Sequence, residues 1–150
     1  MYKRIFVPID NGQASALAFE EACSLAKLLN AELLITTVVD LTPVGQPGME
    51  FVDAPALHQS SKDSAKDLLS RALSQAKAAG LSANTKLLES FGDNLSQTLL
   101  EEAKQWGANL IVMGTHGRTG LMHLIMGSVA EGVLRHSLVP VLLVRKRDAS

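Results

Sequence analysis

Cysteine, tryptophan and tyrosine each occur once in the 150 residues, and aromatic residues make up only 4%. The lone Cys23 excludes an internal disulfide and any metal site built from several thiolates. Charge of one sign is missing too: 14 Lys and Arg stand against 15 Asp and Glu, a net charge of -1. Nucleic-acid binding rests on neutralising phosphates with a basic surface, so this balance argues against that class. No apolar run approaches the roughly 18 residues of a membrane span. The stretch Met1 to Asp10 carries Lys3 and Arg4, but its apolar part is too short for a secretory signal. What the chain has in quantity is apolar residues, 47% against 19% charged. That proportion fits a packed globule rather than a disordered chain. The length suits one domain over residues 1–150, and a cytoplasmic protein is expected.

Short β-rich runs alternate with longer helical patterns. Arg4 to Ile9 is almost wholly apolar, as expected of a strand buried on both faces of a parallel sheet. Pro8 removes a ladder donor and predicts the end of that strand. Helical spacing of Ala18, Ala22, Leu25, Ala26 and Leu29 predicts a helix over Gln13 to Leu29, stopped by Asn30. Glu32 to Val39 reads as a second buried strand and Ser61 to Ala79 as a helix closed by Gly80. Thr85 to Glu89 is a more polar strand, which places it at a sheet edge. Asn94 to Trp106, Asn109 to Met113, Ser128 to His136 and Val139 to Val144 then read as helix, strand, helix and strand. Five strands separated by helices predict an α/β, doubly wound parallel sheet with helices on both faces. Ligands of such sheets lie beyond the carboxyl ends of the strands, where the strand order reverses. The segment Leu41 to His58, with Pro43, Pro47 and Pro55, reads as a long loop leaving strand two. Its Met49, Phe51 and Val52 leave open a role as a lid.

The chemistry concentrates after the fourth strand, in a stretch holding Gly114, Gly117, Gly120 and then Gly127-Ser128. Glycines let backbone N–H groups approach a ligand closely, and a helix start presents unpaired amides with a positive dipole end. Together they can hold phosphate oxygens with little basic charge. Two plainer readings stand beside that one. Ser128 and Glu131 have the spacing of a capping box, and Asp10-Asn11-Gly12 has the composition of an ordinary turn. His116 and His123 have no carboxylate at ligand spacing, so no metal site is expected. Cys23 reads as a packed helix residue, Trp106 as core or rim, and His58 and His136 as surface residues. Neither a Walker A loop nor a Gly-x-Ser-x-Gly elbow is present.

The spacing Gly114-x2-Gly117-x9-Gly127-Ser128 resembles the ATP-binding branch of the universal stress protein family. The resemblance extends from Lys3–Asp10 through Val38-Val39-Asp40 and Met113–Arg118 to Ser137–Val144. It implies a Rossmann-like sheet of order 3-2-1-4-5 and a homodimer. Residue by residue, it implies that Pro8, Asp10 and Val38 form the adenine and ribose end, with Met113 and Gly114 along the ribose. Gly117, Gly127, Ser128 and Val129 would hold phosphates. Thr115, His116 and Arg118 fill the loop between, with Arg118 in reach of a phosphate. The implied ligand is ATP, with ADP and AMP as alternatives, carrying Mg²⁺ or Mn²⁺ through its phosphates. The function expected is a nucleotide-dependent sensor or regulator in stress response, read by a regulatory protein partner. Two rivals remain: a slow ATPase or phosphotransferase, and a nucleotide-free interaction module. No general base is evident in the motif region. The apolar strand 139–144, at the sheet edge in this order, would pair the two subunits.

Overall fold

Ile5, Phe6 and Val7 are completely buried, and they face two different cores. In the computed structural model, which describes residues 1–41, 54–92, 94–116 and 126–146, they lie on the central strand of a sheet. The elements in chain order are β1 (Arg4–Pro8), α1 (Gln13–Leu29), β2 (Glu32–Asp40), α2 (Ala54–Ala78), β3 (Ser82–Ser90), α3 (Leu95–Trp106), β4 (Leu110–Gly114), α4 (Ser128–His136) and β5 (Val141–Val144). All strand pairs are parallel and the order is β3-β2-β1-β4-β5. This is the doubly wound, Rossmann-like sheet expected.

Side chains of a strand alternate between faces, so each strand feeds two layers. Ile5, Val7, Leu33 and Ile35 join Ala18, Ala22 and Ala26 of α1 and Leu69, Ala72 and Ala76 of α2. Phe6, Leu34 and Leu88 join Leu99 and Ala103 of α3 and Ala130 and Val133 of α4. The small residues on α1 let that helix lie close to the sheet. Asn30, with φ 53°, and Gly107, with φ 82°, end α1 and α3 in the left-handed conformation. At the amino edge of the sheet, the amides of Lys3 and Arg4 both donate to Asn109 Oδ1, at 3.0 and 2.8 Å. Arg4 also pairs with Glu32 at 2.7 Å and lies 5.2 Å from the Trp106 ring centre. Trp106 is therefore a rim residue.

Three element boundaries differ from expectation by more than one residue. Helix α2 begins at Ala54 rather than near Ser61, so the end of the expected loop is helical. Pro55 sits in its first turn, where a missing N–H removes no intrahelical bond. Residues 42–53 of that expected loop, for which a role as a lid was left open, lie outside the described residues. Strand β3 is longer than Thr85 to Glu89 because Ser82, Ala83 and Asn84 still pair with β2. Strand β5 is shorter than 139–144. The Val139 amide donates to Ser137 Oγ at 3.1 Å, and Pro140 has no amide to donate. His58 is half-buried rather than on the surface, and its buried Nε2 has no hydrogen-bond partner among the described residues.

Candidate functional site

The chain runs outward from β1 through β2 to β3, then returns to place β4 on the other side of β1. At that reversal the carboxyl ends of β1 and β4 separate, and a cleft of about 400 Å³ opens there. Pro8, Ile9 and Asp10 form one wall, with Thr37 and Val38 at the end of β2 beside them. Met113 to His116 form the opposite wall, and Gly127 to Ala130 of the α4 start close one end. Leu95 and Leu99 of α3 supply an apolar side.

Each wall is set by main-chain bonds. The Ile9 amide donates to the Thr36 carbonyl at 2.8 Å, extending the β1–β2 ladder past Pro8. The Asp10 amide donates to Ser15 Oγ at 2.8 Å, and Asp10 Oδ1 accepts from the Gly12 amide at 2.7 Å. The turn reading of Asp10-Asn11-Gly12 is therefore correct, and the turn forms part of the cleft wall. Gly114 is required by packing: a Cβ there would lie 2.7 Å from Ala14 C and 2.9 Å from Ser15 N. Thr115, buried, donates its amide to the Val144 carbonyl at 3.0 Å and accepts from the Gly127 amide at 2.6 Å. Its Oγ1 lies 3.1 Å from His116 Nδ1.

The capping box does not form. Gly127, not Ser128, is the N-cap of α4, so Ser128 is the first helical residue. Glu131 Oε1 instead accepts from Arg135 at 2.8 Å, one turn along the helix. The first intrahelical bond runs from the Glu131 amide to the Gly127 carbonyl at 2.9 Å. The amides of Ser128, Val129 and Ala130 thus precede the helical ladder, at the positive end of the dipole and on the cleft.

Of the site residues expected, Pro8, Asp10, Val38, Met113, Gly114, Thr115, His116, Gly127, Ser128 and Val129 all line this one cleft. Gly117 and Arg118 lie outside the described residues. Sequence reasoning missed Ile9, Ser15, Thr37, Leu95, Leu99 and Ala130. Leu95 and Leu99 carry an i, i+4 apolar signal, but that signal says only that a helix has a buried face.

The profile of the universal stress protein family matches residues 1–145. The chain belongs to the universal stress protein family. A universal stress protein of Methanocaldococcus jannaschii is 34% identical over 152 residues, covering 97% of this chain and 84% of that protein. Among solved structures, a universal stress protein family member from Burkholderia pseudomallei is 31% identical with a TM-score of 0.78, covering 95% of this chain and 96% of that one. A universal stress protein solved in complex with cAMP is 27% identical with a TM-score of 0.69, covering 95% and 97%. In this family member, as expected, the glycine-rich segment follows β4 and leads to the start of α4.

Proposed function

We propose that this universal stress protein binds an adenine nucleotide in the cleft, ATP with Mg²⁺ or Mn²⁺, and acts as a nucleotide-dependent regulator. One observation carries the reading: ten residues expected from three distant segments meet around one cleft at the switch point of the sheet. Its volume of about 400 Å³ lies within the range of roughly 300–1,000 Å³ usual for small-molecule sites. The chemistry is graded along it. Pro8, Val38, Met113, Leu95 and Leu99 offer apolar walls to a base, and Asp10 offers a carboxylate to a sugar. The amides of Ser128 and Val129 and the Ser128 hydroxyl offer donors to phosphate oxygens. The Gly127 amide is already engaged by Thr115, so its part is to admit the phosphates rather than to bond them. The relative solved with cAMP supports an adenine nucleotide as the class of ligand.

A ligand regulates only if it binds two states of the protein unequally. A protein partner would read the difference between those states in the cytoplasm. Among the described residues no helix is long and apolar enough to cross a membrane. We place a homodimer contact on β5, the edge strand. Mass spectrometry of ligand released from freshly purified protein tests the reading. ATP, ADP or AMP supports it, and an empty cleft that also ignores added ATP in calorimetry removes it.

A further inference from the structure

We propose that Ser15 is a positioning residue that sets Asp10 for recognition of the ligand's sugar hydroxyls, an inference that rests on the nucleotide reading above. Ser15 is 4% exposed and lines the cleft from the third position of α1. Its hydroxyl does not cap its own helix, because the N-cap is Gly12 and makes no side-chain bond. It instead accepts the amide of Asp10, two residues before the N-cap, at 2.8 Å. The bond from the Gly12 amide to Asp10 Oδ1 at 2.7 Å holds the carboxylate of the same residue. Asp10 is therefore held at its main chain by Ser15 and at its side chain by the turn.

Ser15 is itself held by the opposite wall. The first turn of α1 lies so close to the end of β4 that a Cβ on Gly114 would come within 2.9 Å of the Ser15 nitrogen. The position of β4 thus sets Ser15, and Ser15 sets the height at which β1 delivers Asp10 to the cleft. An acid that must meet a sugar hydroxyl within hydrogen-bond distance needs such a support, because a small displacement forfeits the bond. Ser15→Ala removes the acceptor and leaves the helix intact, since alanine is a good helix former.

The probes are ATP and 2′,3′-dideoxyATP, which differ only at the sugar hydroxyls, titrated calorimetrically into full-length protein. Wild type should favour ATP by roughly ten-fold, the scale of one hydrogen bond to a charged group. Ser15→Ala should bring the ratio close to one while binding 2′,3′-dideoxyATP as wild type does. In an Asp10→Ala background, Ser15→Ala should change the ratio no further, because Ser15 acts through Asp10. An equal loss for both nucleotides, or an unchanged ratio, overturns the role of Ser15 and leaves nucleotide binding standing. A wild type that binds ATP without discrimination overturns the sugar assignment. Failure of wild type to bind either nucleotide overturns the nucleotide reading, and this inference with it.

Discussion

The Gly127 amide donates to the Thr115 carbonyl across 2.6 Å, which ties the residue before α4 to the residue after β4. Thr115 is in turn fixed to the end of β5 through Val144. The Gly127–Thr115 bond brings the α4 start up to the end of β4, where the residues of its first turn line the cleft.

From this follows the first prediction, for Gly127→Val. The residue has φ −72° and ψ 160°, an extended conformation that valine adopts without strain. The fold should survive, with a native circular dichroism spectrum. The branched side chain would occupy the mouth of the cleft where phosphates approach, so ATP affinity should fall at least about ten-fold. Calorimetry showing unchanged affinity would remove the phosphate assignment.

Gly114→Ala should behave differently. Its Cβ would meet the backbone of Ala14 and Ser15 at 2.7 and 2.9 Å, and backbone cannot rotate away as a side-chain tip can. Helix α1 must lift off β4, an overpacking that costs about 1–3 kcal/mol. Urea unfolding should show a lowered midpoint with an unchanged slope. A midpoint equal to wild type would mean that the helix start yields freely.

Much of this architecture is legible in the sequence because buried strands have few alternatives. Ile5-Phe6-Val7 and Leu33-Leu34-Ile35 are apolar on both faces, as a covered parallel sheet requires. Boundaries were less visible where local signals conflict. Pro55 reads as a loop residue yet lies in the first turn of α2, and Ser82 and Asn84 read as loop yet pair with β2. Glu131 shows the limit of spacing alone: the Ser-x-x-Glu pattern is present, but the helix starts one residue too early for it to act as a box. Ser15, Leu95 and Leu99 entered the cleft through tertiary contacts that no local pattern encodes.

The Cys23 thiol should react slowly. Burial, with a smaller contribution from the Glu20 carboxylate, raises its pKa from 9.0 to about 11. Only the thiolate is nucleophilic, so labelling at pH 8 should proceed well below the rate of a free thiol. The rate should keep rising with pH from 10 to 11, where an unperturbed thiol has levelled off. In the unfolded chain the thiol loses its proton at lower pH, so this group lowers stability as pH rises from 9 toward 11. Labelling at the rate of free cysteine at pH 8 would contradict the burial.

ATP hydrolysis should be absent or far below the roughly 1–10³ s⁻¹ of ordinary enzymes. Asp10 Oδ1 is held by Gly12, and Glu131 is paired with Arg135 outside the cleft lining. A general base must stand within hydrogen-bond reach of the attacking water. Steady-state phosphate release in the ordinary enzyme range would favour the ATPase reading over the regulator.

The homodimer contact proposed on β5 can be tested without damaging the subunit. Val141 and Leu143 pack against the core shared by α3 and α4, so charges there would threaten the fold itself. Leu138 is 89% exposed and Leu142 36% exposed, and both lie on or just before the edge strand. An edge strand offers unpaired amides and carbonyls, and solitary edges are commonly guarded by charge or a bulge. Val141 to Val144 carries neither. Antiparallel pairing with a second copy would continue the ladder across a two-fold axis and cover both leucines. Leu138→Lys with Leu142→Lys should therefore give a folded monomer in sedimentation, with wild type sedimenting as a dimer at micromolar concentration. Wild type running as a 16.0 kDa monomer, or the double variant remaining dimeric, would overturn this contact.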